Sequence, residues 1–271
     1  MDANVIENFE NWLHKTNLST KTIEYYKGLI LLYFKKNSEI SKASIWKYLS
    51  SLEKIGRSPS YYNSNVNAFK KFCDFQQNGI VIRHIKVPRM LHLDGIPCEE
   101  KYFKLLDYLK QIKNYEYYLW VKVLSCTGAR IGEFMQFTWE DIIAGEFMVK
   151  GKGGKYRFFF IPKNLSDEIS DYALRHGKSG YFAKNKFGQR ISQKGIRDNM
   201  CLWAKKLDFP PGMLHPHAFR HFFAKQYLKH SQNDIAQLAE LMGHSSLDTT
   251  RIYLMKSKEE QRRDYNVVVK W

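Results

Sequence analysis

The stretch HPHAFRH, His215 to His221, sets three histidines, a proline and an arginine into seven positions of a chain with 9 histidines in 271 residues. Two chemistries use such a set. His217 and His221 stand four apart, the spacing of zinc ligands on one helical face. A metalloprotease would carry a glutamate directly after the first histidine, and Ala218 stands there. With no carboxylate or thiolate nearby in sequence, no metal site is expected. The second chemistry is anion binding. On a helix opening near Pro216, His217, Arg220 and His221 share a face at i, i+3 and i+4. The unpaired backbone N–H groups of its first turn favour negative charge, and a planar guanidinium beside a histidine suits a phosphate. A basic surface helix would show the same residues, so other stretches must decide.

Three do so jointly. CTGARIGEF places Arg130 just after a Thr-Gly break, at a helix start, with Glu133 one turn on to orient it. KGKGGKYR offers Lys152 on a glycine-rich turn. LAELMGHSSLDTTRIYL closes a helix at Gly243, then presents His244, then a short helix carrying Tyr253. Core packing is the default fate of a tyrosine. Each piece alone is a weak signal; their order along the chain is the stronger one.

The elements that must hold these residues are mostly helical. Ile6, Phe9 and Leu13, with Trp12, recur at helical spacing. STKTIEYYKGLILLYFKK opens on a Ser/Thr cap, SKASIWKYLSSLEK stops before Gly56, and SPSYYNSNVNAFKKFCDFQQNG has Pro59 in its first turn and Gly79 after its last. These make an N-terminal four-helix bundle, residues 1–86. Residues 87–97, with Pro88, Gly95 and Pro97, read as an extended linker. Residues 98–271 form a second, helical domain. YEYYLWVKVLSCTGARIGEFMQF reads as two helices broken near Cys126–Gly128. EFMVKGKGGKYRFFFIP reads as a β-hairpin, with Phe147 and Val149 alternating before the turn and Phe158 and Phe160 after it. Helices resume to about residue 258, leaving SKEEQRRDYNVVVKW as a charged tail with an apolar end. The fold class expected is mainly α, with one small antiparallel sheet.

Charge and cysteines narrow the class. The net charge is +16. Residues 1–97 carry 14 basic against 8 acidic side chains and the remainder 29 against 19, so both parts are equipped to grip a polyanion. The 4 cysteines lie far apart with no CxxC pair, which argues against a zinc ribbon or a disulfide framework. MDANVIENFENWLHK is acidic and amphipathic, unlike a signal peptide, and no apolar run is long enough to span a bilayer. A cytoplasmic protein with no membrane partner is expected.

In this order the pieces resemble the tyrosine recombinases, the phage-integrase and Xer-type family, which carries Arg, a hairpin Lys, His-x-x-Arg, His or Trp, and then Tyr. The matching residues are Arg130 in Thr-Gly-Ala-Arg-Ile-Gly-Glu, Lys152 in Gly-Lys-Gly, His217 and Arg220 in His-Ala-Phe-Arg-His, His244 in Leu-Met-Gly-His, and Tyr253 nine residues later. Phe219 stands where leucine is usual and Ala129 where a larger apolar residue is common; neither touches the chemistry. The resemblance implies a SAM-like core-binding domain before a catalytic domain, together clamping double-stranded DNA. It implies no arm-site DNA-binding domain, since the first long helix already opens at Ser19.

The implied activity is site-specific recombination without metal or nucleotide cofactor. Tyr253 attacks the scissile phosphate, leaving a 3′-phosphotyrosine and a free 5′-hydroxyl. Arg130 and Arg220 clamp the phosphate, His217 takes the tyrosine proton, Lys152 protonates the departing oxygen, and His244 holds the phosphate or the tyrosine in line. Glu133 and His221 are cast as supporting residues. The implied partners are inverted-repeat core sites, a homotetramer on two such sites with the C-terminal tail docked into a neighbouring protomer, and in some systems an accessory protein. Rival outcomes of the same residues are a type IB topoisomerase, a telomere resolvase, or an idle DNA-binding architectural or regulatory protein.

Overall fold

A computed structural model of the chain describes residues 3–87, 95–151, 154, 156–185, 187–232, 234–244, 246–255 and 258–270. It divides into two compact units, Met1–Arg89 and Met90–Trp271. As expected, it is mainly helical, with one two-stranded antiparallel sheet among the described residues. No helix among them is long and apolar enough to cross a membrane.

The first unit holds α1 (Ala3–His14), α2 (Thr20–Phe34), α3 (Lys42–Lys54) and α4 (Pro59–Gln76). Serine side chains cap three of the starts: Ser19, Ser41 and Ser58 each accept a backbone N–H of the following turn, satisfying a donor that the helix cannot. The apolar faces converge on one aromatic core, in which Phe9 meets Phe72 edge-on at 4.9 Å and Tyr33 meets Phe69 at 5.0 Å. The helix α4 ends before Gly79, as expected. Gln77, at φ 52°, takes the left-handed cap position two residues before Gly79. Beyond it, the extended chain is held to α4 by Asn63, whose amide exchanges hydrogen bonds of 2.9 Å with both backbone groups of Ile85. Most of the 87–97 linker, residues 88–94, lies outside the described residues.

The second unit is built on α6 (Tyr115–Thr127), whose Tyr118, Leu119, Trp120, Val121, Val123 and Leu124 are all buried. A helix apolar on nearly every side belongs at a centre. Around it lie α5 (Glu99–Gln111), α7 (Ile131–Phe134), α8 (Trp139–Ala144), the strands β1 (Glu146–Lys150) and β2 (Tyr156–Phe160), α9 (Lys163–His176), α10 (Gln193–Lys206) and α11 (Pro216–His230). Then come α12 (Ile235–Met242), α13 (Asp248–Arg251), a 3₁₀ turn (Ile252–Leu254) and α14 (Lys258–Val268). The charged segment after Tyr253, expected as a tail, is thus itself largely helical.

The hairpin inverts one expectation. Its register sets Phe147 opposite Phe159 and Val149 opposite Arg157. Phe159 and Arg157 therefore face the core with Val149, while Phe158 and Phe160 are 59% and 53% exposed. Side chains alternate along a strand, and a buried ion pair fixes the parity: Arg157 must point inward to reach Glu133.

Gly128 ends α6 in the left-handed conformation, φ 56°, and turns the chain back toward α7. A Cβ placed there would sit 2.4 Å from Cδ1 of Phe223 on α11. Gly128→Ala therefore combines backbone strain with overpacking and should lower the stability of this unit by roughly 2–5 kcal/mol. Gly177→Ala makes a control: the same handed cap on α9, φ 57°, with nothing within 4 Å of the new methyl. It should cost only the backbone term, about 1–2 kcal/mol. Thermal unfolding of the two variants side by side checks this, and equal losses would remove the role given to Phe223.

Candidate active site

Two helix ends make the site. The last carbonyls of a helix have no partner within it and carry the negative end of its dipole. At the end of α12, three successive carbonyls each accept one guanidinium. Arg157 Nε donates to Leu241 O at 2.6 Å, Arg220 Nη2 to Met242 O at 2.7 Å, and Arg130 Nη2 to Gly243 O at 3.2 Å. At the end of α6, Arg157 Nη2 donates to Thr127 O at 3.1 Å and Arg220 Nη1 to Gly128 O at 2.6 Å. Three cations thus share a small space through backbone dipoles.

One carboxylate completes the arrangement. Glu133 is 3% exposed. Its Oε1 accepts from Arg130 Nη1 at 2.9 Å, and its Oε2 accepts from the Arg130 backbone N–H at 2.8 Å and from Arg157 Nη1 at 2.7 Å. Burial works to raise the Glu133 carboxyl, but the Arg130 N–H and the two guanidinium charges outweigh it and hold it below the ordinary range. Burial, opposed by Glu133, brings Arg157 down to about 10; burial and the Arg157 and Arg130 charges bring Arg220 down to about 9. Both remain cations at neutral pH.

Tyr253 and three histidines face this cluster. The 3₁₀ turn packs on α11 and buries Tyr253 to 5% exposure. Burial raises its phenol, although the charges of Arg220 and Arg130 pull the other way. The His244 ring lies parallel to that of Tyr253 at 6.4 Å. Its Nε2 meets Arg220 Nη2 at 3.0 Å and its Nδ1 meets the buried Thr250 Oγ1 at 2.8 Å. Since a guanidinium only donates, Nε2 accepts and the ring proton sits on Nδ1, facing Thr250. Burial and the three arginine charges bring His244 down to about 4. His217 stands in the first turn of α11 with part of its ring open to solvent; the desolvation of the remainder and the neighbouring Arg220 and His215 lower it.

The structure therefore brings together Arg130, His217, Arg220, His244 and Tyr253 of the residues singled out from sequence. Lys152 lies outside the described residues. Among those described, no three His, Cys, Asp or Glu side chains are grouped to hold a metal. Sequence reasoning missed Arg157, whose signal was a lone cation inside the apolar strand YRFFF, in register with inward Val149. It also cast His221 as support, whereas His221 Nδ1 lies 3.0 Å from the Tyr253 hydroxyl.

Comparison with known proteins gives the family and the fold. The model of the phage integrase family matches residues 98–260. The tyrosine recombinase XerA of Thermococcus kodakarensis is 28% identical over 264 residues, covering 96% of this chain and 93% of the relative. The tyrosine recombinase XerC of Oceanobacillus iheyensis is 26% identical, covering 96% and 94%. In fold the chain is similar to a crystal structure of XerA recombinase, with TM-score 0.55, 21% identity and 99% and 100% coverage. It is also similar to a lambda integrase tetramer bound to a Holliday junction, with TM-score 0.74, 17% identity and 92% and 76% coverage. The family match and the near-full-length relatives place the chain among enzymes that cleave and rejoin DNA. The chain belongs to the phage integrase family and is a site-specific tyrosine recombinase.

Removing one member of a buried ion pair strands the other. Arg157→Met should lower the stability of the second unit by about 3–5 kcal/mol at neutral pH, and Arg157→Lys by less, since the charge survives without the fork. The pH dependence has a definite sign. Because the folded-state pKa of Glu133 is depressed, its contribution is complete above the ordinary carboxylate range and is lost as pH falls through the depressed value. Unfolding measured from neutral to acid pH should show a shallower acid limb in Arg157→Met. A limb as steep as in the natural chain would mean that Glu133 is not the group responsible.

Proposed function

We propose that the chain cleaves and rejoins double-stranded DNA at inverted-repeat core sites through a 3′-phosphotyrosine on Tyr253. The observation that carries the assignment is the Tyr253 hydroxyl, buried beside a preformed cluster of fixed guanidiniums with a net excess of positive charge. A phosphoryl-transfer transition state gathers charge on its non-bridging oxygens, and donors fixed beforehand stabilise it without reorganisation. Arg130 and Arg220 are the clamp. Neither is free to swing, since each is tied to a helix-end carbonyl. His217, at the α11 N-terminus, adds a donor where backbone N–H groups already favour an anion. His244, its tautomer set by Arg220 and Thr250, holds the tyrosine and the phosphate in line. Lys152, in the glycine-rich sequence between β1 and β2, is the acid that protonates the departing 5′-oxygen.

Both units carry net positive charge, so both hold the duplex, with phosphate contacts dominating affinity. The working assembly is a homotetramer on two DNA sites, with the segment after Tyr253 docked on a neighbouring protomer, and it acts on DNA in the cytoplasm. The lambda integrase tetramer on a Holliday junction, similar in fold, supports that arrangement. Strand exchange, as opposed to nicking and resealing as in a topoisomerase, is the outcome favoured by the near-full-length likeness to XerA and XerC recombinases.

Two results test the chemistry. DNA nicked beside the cleavage point, so that the cut fragment diffuses away, should trap a covalent adduct with the natural chain. Tyr253→Phe should bind the same DNA and trap none; a persistent adduct would put the nucleophile elsewhere.

Lys152 and Lys155 both lie at the glycine-rich turn, and a general acid matters only while its leaving group is poor. Replacing the bridging 5′-oxygen by sulfur gives a leaving group near the acidity of a cysteine thiol, about 8.5. Lys152→Ala should cleave ordinary DNA about 100-fold or more slowly and the sulfur substrate almost normally. Lys155→Ala should show a salt-sensitive binding defect and no such rescue. Rescue that follows Lys155 would transfer the acid role to it.

A further inference from the structure

We infer that His221 is a catalytic residue: its Nδ1 accepts the proton of the Tyr253 hydroxyl as that oxygen attacks phosphorus. The inference rests on the tyrosine-nucleophile reading above and moves to His221 the proton that the family resemblance gave to His217. Its first ground is contact. His221 Nδ1 lies 3.0 Å from Tyr253 Oη, within the range in which a base takes a proton directly. The two rings are 5.4 Å apart, centroid to centroid.

The second ground is the state of the other two imidazoles. His244 has both ring nitrogens engaged, Nε2 by Arg220 and Nδ1 by Thr250. Its acceptor lone pair is already spent on a guanidinium. His217 lies one turn earlier on α11, exposed, with its ring 6.1 Å from that of His221. That position suits a donor to phosphate. His221 is the ring whose nitrogen meets the nucleophile.

Basicity follows from the surroundings. His221 faces His217, His215 and Arg220 on its own helix, with Arg130 before α7, Arg157 on β2 and His244 after α12 close to the same cluster. Burial and then the charges of His217, His215 and Arg220 bring it down to about 4 in the DNA-free protein. It is therefore neutral and able to accept. A phosphodiester seated against Arg220 and Arg130 brings a negative charge into the cluster, which favours the protonated ring. Proton uptake is thereby coupled to DNA binding, and the free protein does not carry a standing tyrosinate.

The step balances. The Tyr253 Oη–P bond forms while the Oη proton passes to His221 Nδ1. The P–O5′ bond breaks, and O5′ leaves with a proton from Lys152. In rejoining, a 5′-hydroxyl attacks phosphorus and gives its proton to Lys152, while His221 returns its proton to Oη.

The test uses the full chain and the nicked DNA. His221→Ala and His221→Asn are compared with the natural chain, each with tyrosine or 3,5-difluorotyrosine at position 253. The fluorinated phenol is more acidic and needs less help in losing its proton. Asparagine retains a hydrogen bond to the hydroxyl but cannot take up its proton. Both variants should form adduct about 100-fold or more slowly, with DNA binding unchanged, and difluorotyrosine should recover most of that loss. The same replacement should not relieve His217→Ala, whose loss belongs to the phosphate. Cleavage by His221→Asn within about three-fold of the natural chain would overturn the inference, as would a loss that difluorotyrosine leaves in place. If the natural chain forms no adduct at all, the tyrosine-nucleophile reading falls and takes the role of His221 with it. That result is distinguishable from failure of the His221 assignment alone, in which the natural chain still cleaves.

Discussion

Three consecutive peptide carbonyls at the end of α12, those of Leu241, Met242 and Gly243, each hold a different arginine. Guanidiniums repel one another, and burying two of them, Arg157 and Arg220, carries a desolvation cost as well. Backbone carbonyls offset both without adding a full negative charge that would itself repel a phosphate. The same logic recurs at the end of α6, where Thr127 and Gly128 accept from Arg157 and Arg220. Glu133 is the exception that proves useful. Its charge is spent on Arg130 and Arg157, whereas Arg220 donates to the carbonyls of Gly128 and Met242 and meets His244 Nε2.

That arrangement explains why the site needs both left-handed glycines. Gly128 and Gly243 end their helices so that the carbonyls splay toward the arginines. A Cβ at Gly243 would come within 3.2 Å of Arg157 Cδ. Local conformation and long-range electrostatics are here the same constraint. The chain reverses at each helix end in a form that only glycine adopts without strain, and the reversal is what exposes the acceptors. His244 follows directly and inherits its place from Gly243, so the ring that stacks beside Tyr253 is positioned by the same turn.

Much of this was legible in the sequence, and the exceptions have physical reasons. Helix starts were marked by Ser19, Ser41 and Ser58, whose capping is local chemistry. The pairing of Arg130 with Glu133 was visible because three residues make one helical turn. The inward face of β2 was not. Three phenylalanines in a row satisfy either parity, and the choice was made by Arg157 reaching a carboxylate 24 residues away. The contact between His221 and Tyr253 spans 32 residues and depends on how a 3₁₀ turn packs on α11. Periodicity cannot report such a contact. Residue type and order reveal which groups a site contains; which nitrogen meets which oxygen is a property of packing.

The bonds that hold the arginines also join very distant parts of the chain. Arg130 and Gly243 are 113 residues apart, Arg220 and Gly128 are 92, and Arg157 and Leu241 are 84. Contacts of long sequence separation require the closure of long loops and form late. During synthesis the N-terminal elements appear first and begin to fold while the rest is still being made. The arginines of α6–α7 and β2 then wait for acceptors not yet translated, and the tyrosine follows those acceptors. The guanidinium cluster is therefore completed only once the segment through Gly243 has been translated.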